Sequence, residues 1–162
     1  MKKMKKQAAV MALLGEYQKA VIELQQVIDN IAPAALTHIV DKQTENLECI
    51  SIQSILLHIV SSGYSYAVYI QNSRGIDSKR PEKKLRESAA AFKSDLDQMI
   101  AFTNDTFADI TDAELESFTN EGKIKTAWGQ VYDIEQLMEH AIVHVLRHRR
   151  QIEKYKEILG IQ

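Results

Sequence analysis

Histidine is the residue type best able to do chemistry in this chain, and three of its five copies stand at a fixed interval. His140, His144 and His148 follow one another at four-residue steps, which in a helix stacks the side chains on one face with modest angular drift. Leu137, Ala141, Val145 and Ile152 fall on or beside that stripe, so the imidazoles are expected to point inward. Each buried ring carries a nitrogen that needs a partner, and one metal ion could serve them all. A pair at i and i+4 brings two ring nitrogens within reach of one ion, as in the zinc proteases, but two ligands alone bind weakly. His58 lies beside a second apolar stripe, Ile55, Leu56 and Ile59, and supplies the third ligand if its helix adjoins the last one. Three neutral imidazoles on one side of an ion leave the other side open to water or substrate, the arrangement of a catalytic site. The spacing leaves open whether His140/His144 or His144/His148 is the pair, and pH-sensitive packing is the competing role of such a cluster.

Other side chains could line the same site. Ser62 and Tyr66 follow His58 by four and eight residues and continue its face, although core packing is the commoner role for such hydroxyls. Gln151 stands three residues after His148 and could orient its ring, where an exposed glutamine is the ordinary outcome. Trp128, the single tryptophan, sits in the irregular stretch just before the histidine-rich helix and could roof a pocket or cap the core. Arg147, Arg149, Arg150, Lys154 and Lys156 are most simply a solvated helix end that complements the macrodipole, the alternative being contact with an anionic group of a substrate. Glu139 lies off the His144/His148 face, so no glutamate stands where the zinc proteases keep their base. Nucleotide-binding glycine loops, paired-cysteine metal motifs and a serine elbow are missing.

Four long helical segments must position these residues. The first is expected over Lys5 to Asn30, closed by Pro33, which disfavours helix at Ala32. A connection from Ala32 to Cys49 follows, with room for a short helix, Leu36, Ile39 and Val40 packing inward, and Asp41 to Glu48 outside. It would form the rim of any pocket. The second helix begins at the Ser51 cap and runs to about Asn72. After a turn over Ser73 to Ile76, Pro81 is expected to start the third, at a position where its missing donor is harmless, with Leu85, Ala89, Phe92, Leu96, Met99 and Ile100 as its stripe to Phe107. Between Asp109 and Tyr132 periodicity weakens, and Lys123 to Thr126 could be extended. The last helix spans Asp133 to Leu159 and stops at Gly160. Helices of 22 to 27 residues would be about 33 to 40 Å long. The expected class is therefore all-α, a four-helix bundle.

Bulk properties set the remaining bounds. A chain of 162 residues with 45% hydrophobic and 26% charged side chains reads as one globular domain over 1–162. A formal charge of −2 gives no reason to expect nucleic-acid binding. The lone Cys49 suits a reducing compartment, so a cytoplasmic location is expected. The basic start, Met1 to Lys6, followed by apolar Ala8 to Leu14, resembles a secretory signal only superficially. Val10, Leu13, Leu14, Tyr17, Val21, Leu24 and Ile28 continue the pattern as an amphipathic helix. No apolar run approaches the roughly 18 to 20 residues that span a bilayer.

The segment His140-Ala-Ile-Val-His144-Val-Leu-Arg-His148-Arg-Arg-Gln151 resembles the C-terminal signature of the DinB-like (DNA-damage-inducible protein B-like) four-helix bundles, a histidine series ending in His-Arg-Gly-Gln. Leu57-His58-Ile-Val-Ser-Ser62 sits where that family keeps the ligand of its second helix. The resemblance covers essentially the whole chain in helix order and length. It implies His58, His144 and His148 as ligands of Zn²⁺, Ni²⁺, Fe²⁺ or Mn²⁺, with His140 in a supporting or pocket role. It further implies a metal-dependent thiol transferase using a low-molecular-weight thiol, or a hydrolase, acting on a small-molecule substrate, and a homodimer. A non-catalytic metal-binding stress-response bundle that acts through dimerisation is the alternative. Arg150 departs from the pattern, standing where glycine is frequent. Two residues past the ligand, it is expected to point away from the metal.

Overall fold

Each apolar stripe becomes one long helix in the computed structural model, which describes residues 7–162. In chain order the helices are α1 (Ala8–Val27), a short α2 (Pro33–Thr37), α3 (Ile52–Ser73), α4 (Ala89–Thr106) and α5 (Ile134–Leu159). One small antiparallel hairpin, β1 (Ile124–Lys125) with β2 (Val131–Tyr132), precedes α5. The protein is all-α in class. The expected helical start at Lys5 and the basic stretch Met1 to Lys6 lie outside the described residues. No helix among the described residues is long and apolar enough to cross a membrane.

The boundaries are set by local chemistry. Ser51 accepts from the Ser54 amide at 3.0 Å while the Ser54 hydroxyl accepts from the Ser51 amide at 3.1 Å, a reciprocal cap that satisfies two donors at the start of α3. Asp133 and Gln136 make the same exchange at the start of α5, at 2.8 and 3.1 Å. Gly160 closes α5 at φ 67°, a left-handed conformation that costs glycine little.

Hydrogen bonds between helices fix their directions. Glu23 meets Arg149 and the Val27 carbonyl accepts from Lys156, so α1 and α5 run parallel. Gln25 reaches Lys93 and Asp97 while Tyr17 reaches Met99, so α1 and α4 are antiparallel. His58 meets His144, and Tyr66, two turns further along α3, packs on both His144 and the earlier His140, so α3 and α5 are antiparallel. Gln53 bonds the Arg86 carbonyl and Gln71 the Thr106 hydroxyl, each at 2.8 Å, so α3 and α4 run parallel.

That last relationship corrects the expected third helix. Residues 77–88 form an extended strap, and the helix starts at Ala89 behind a Ser88 cap. Two parallel neighbours require the chain to travel back along α3, whose 22 residues are about 33 Å long. Were 81–88 helical, the link would reach only about 35 Å, with no slack for two reversals. The strap is pinned along its course. Arg80 donates to Ser61 and Ser65 at 2.6 and 3.3 Å, Lys83 to Glu48 at 3.0 Å, and Arg86 grips Asp95 through two bonds of 2.8 and 2.9 Å. Leu85, read as part of the stripe, is exposed on this strap, and Ile39, expected to pack inward, is also exposed; Leu36 and Val40 do turn in.

The core between the four long helices contains Leu24, Leu56, Phe92, Leu96, Leu137 and Ile152, all fully buried; each such side chain contributes about 1.5–3 kcal/mol. At Gly63, α3 packs too tightly against Met99 and Tyr17 to admit a side chain. A Cβ there would stand 2.0 Å from Met99 Sδ and 2.8 Å from Tyr17 Oη.

Candidate metal centre

His58 is presented by α3 and His144 and His148 by α5, and the antiparallel packing of these helices brings the three rings together. One ligand nitrogen from each lies within 4.8 Å of the others, and His144 Nε2 and His58 Nε2 are 2.9 Å apart. Ring centroids are separated by 4.8 Å for His58–His144, 5.0 Å for His58–His148 and 4.5 Å for His144–His148. Imidazole nitrogens at about 2.0–2.1 Å from one tetrahedral ion stand about 3.3 Å apart. Side-chain shifts on the order of 1 Å therefore close the set around a single ion.

The outer nitrogens are held by the protein. Glu48 Oε2 lies 2.9 Å from His58 Nδ1, and Gln151 Oε1 lies 3.0 Å from His148 Nδ1. An oxygen at Nδ1 selects the Nδ1–H tautomer and leaves the Nε2 lone pair facing inward, the arrangement that metal-binding histidines depend on. Burial, followed by the neighbouring histidines and Arg147, lowers the His144 pKa to about 3. Burial also lowers His58 and His148. The three rings are consequently neutral at physiological pH, the protonation state a ligand requires. The donor set fits a divalent transition metal.

Glu48 carries no signal of this role in the sequence. It ends a polar run that was expected to lie outside, and only the fold turns it onto His58. Burial would raise its carboxyl, but the Lys83 ammonium, with His58 and Arg80, outweighs that and holds it below the usual range.

The remaining candidates separate into two groups. Gln151, half-buried, stands against His148 Nδ1, the less ordinary of its two possible placements. His140 stays out of the three-ring set; its Nδ1 is 3.1 Å from Tyr132 Oη, and Trp128 stacks on it at 5.3 Å with the planes 27° apart. Tyr66, 5% exposed, packs edge-on against both His140 and His144, at 5.6 and 5.8 Å. Burial pushes its hydroxyl well above the ordinary tyrosine range, and Ser62 works the other way. Ser62 and Trp128 line an adjoining cleft of about 530 Å³ with Tyr66 and Tyr69, so Trp128 roofs this aromatic annex and not the three-histidine set.

The three ligand candidates themselves open into a different cleft of about 690 Å³, whose wall includes Cys49, Arg147, Arg150 and Gln151. Arg150, expected to point away, is therefore part of the same cleft. The basic run is divided, not uniformly solvated. Arg149 is half-buried and bonds Glu23, and Lys156 donates to the Val27 carbonyl at 2.8 Å, whereas Arg147, Arg150 and Lys154 are exposed beside the histidines.

No family model matches the chain, and no curated protein matches it.

Proposed function

We propose that the chain is a metal-dependent enzyme on a DinB-like four-helix bundle, with His58, His144 and His148 holding one divalent ion and a low-molecular-weight thiol as co-substrate. The observation that carries this reading is the convergence of three imidazoles from two helices to within 4.8 Å. The course of the four long helices, with one parallel pair joined by a long strap, supports the bundle. An all-imidazole set suits zinc, nickel or iron better than manganese, which favours oxygen ligands.

When bound, such an ion supplies a Lewis acid with a position left for a substrate atom. Glu48 and Gln151 hold two of the rings in the donor tautomer, and burial keeps all three neutral. Glu48 is engaged by His58 and Lys83, which makes it a poor base. Tyr66, its pKa raised by burial, keeps its proton at neutral pH and is no general base. A thiol, with a pKa of about 8.5, loses its proton with far less help than water, at about 15.7. With no general base among the described residues placed beside the ion, hydrolysis would rely on the ion alone to ionise bound water, to about 7 on zinc, whereas a thiol needs the smaller shift, and thiol transfer is the reading taken.

The test is elemental analysis of protein purified without a polyhistidine tag, followed by turnover of an electrophile panel with several small thiols. One equivalent of metal and thiol-dependent turnover are expected. Metal without any thiol dependence would overturn the transferase reading and leave hydrolysis or simple binding.

A further inference from the structure

A cluster of cations beside the three histidines has no structural work to do. Arg147, Arg150 and Lys154 follow one another at three- and four-residue steps, which places them along one face of α5, and all three line the cleft onto which His58, His144 and His148 open. Among the described residues none of them makes a side-chain hydrogen bond or ion pair, while Arg149, on the opposite flank, is engaged by Glu23. Complementing the helix dipole does not account for them, because that effect fades within the last turn. Arg147 lies about three turns before Leu159. The carboxylates around them do not pair with them: Glu48 is taken by His58 and Lys83, Glu153 lies 3.7 Å from Arg149, and Glu139, which shares a separate cleft with Arg147, and Asp41 make no ion pair with any of the three. The side chains lining the cleft include no acid.

We propose that Arg147, Arg150 and Lys154 form an anion subsite, so that the substrate or co-substrate is a small molecule bearing a carboxylate or phosphate group. This rests on the metal reading of the same cleft. A volume of about 690 Å³ is that of a small-molecule site. Arginine offers a planar donor fork matched to both anions, while lysine contributes a mobile point charge. Unneutralised like charges in one cleft repel, and an anion relieves that repulsion. With the reacting group at the histidines, Arg147 at their level and Arg150 and Lys154 further along α5, the ligand would lie along the helix, its charged end fixing its orientation.

The experiment is calorimetric titration of zinc-loaded protein at low ionic strength with succinate and, separately, inorganic phosphate. The variant R147Q/R150Q/K154Q is compared with a control of equal charge loss at exposed sites elsewhere, K19Q/K84Q/K125Q. Binding of at least one anion is expected, weakened about tenfold or more in the first variant and less than about twofold in the control. The better ligand tells carboxylate from phosphate. Equal weakening in both variants, or no binding of either anion, overturns the subsite, as does tighter binding of duplex DNA than of either small anion. Zinc content measured on the same samples separates the two readings. Zinc without anion binding ends the subsite and leaves the metal site standing, whereas anion binding without zinc does the reverse.

Discussion

Glu48 holds His58: its Oε2 lies 2.9 Å from His58 Nδ1, while its other oxygen takes the Lys83 ammonium at 3.0 Å. A residue of the connection before α3 and a residue of the strap after it thus converge behind one imidazole. The carboxylate fixes that ring's tautomer, and the strap fixes the carboxylate.

From this follows a prediction about affinity. Glu48→Ala should weaken zinc binding by about 10- to 100-fold, the range for removing the carboxylate behind a ligating histidine, and Glu48→Gln, which still accepts from Nδ1, should weaken it less. Competition with a chromophoric chelator measures both. Unchanged affinity in Glu48→Ala would contradict the role given to this contact.

The two histidine pairs of α5 make opposite forecasts. His144→Ala and His148→Ala should each abolish stoichiometric zinc, whereas His140→Ala should retain it and instead alter the fluorescence of Trp128, which stacks on that ring. Elemental analysis and emission spectra on the same preparations decide between the pairs. Loss of zinc in His140→Ala would move the site one turn along the helix.

Acid should destabilise the metal-free protein. Burial first, then neighbouring charge, lowers His144 to about 3, and His58, His140 and His148 are also lowered. In the unfolded chain they titrate near the ordinary value of about 6.5. Between that value and the folded pKa the unfolded state binds more protons, so stability is complete above about pH 6.5 and declines as pH falls through this window. Thermal melts with chelator present should show a lower Tm at pH 5.5 than at pH 7.5. A Tm that is flat or higher at pH 5.5 would show that these rings are not held neutral.

Gly63→Ala should destabilise the fold by about 1–3 kcal/mol, the ordinary cost of overpacking, because the new methyl group would stand 2.0 Å from Met99 Sδ. Urea denaturation measures the loss. Combining the change with Met99→Ala removes the contacts with Met99 and leaves only the 2.8 Å approach to Tyr17 Oη, so the two costs should be less than additive; strict additivity would mean that α3 and α4 are not held this close.

Much of the fold was legible in local chemistry. Ser51 and Asp133 cap helices and Gly160 ends one where their side chains, or the absence of one, satisfy the chain ends. The apolar stripes foretold the long helices, because each stripe has one face to bury. The strap over 77–88 was not legible. Pro81 is a good first residue for a helix, and the need to span back along α3 exists only once α3 and α4 are parallel. Glu48 was hidden for the same reason, since a polar residue in a connection carries no period.

The sequence by itself determined that one face of α5 would carry three imidazoles and that α3 would carry another beside its apolar stripe. Only tertiary structure decided which of them meet. A four-residue step along a helix advances about 6 Å and drifts about 40°, so His140 and His148 are about 12 Å apart along the axis and about 80° apart around it. No single ring on a neighbouring helix can serve both. His58 faces His144 and His148 because the packing of α3 on α5 sets its level, a quantity fixed by core side chains such as Leu56 and Ile152 and not by the spacing of the histidines.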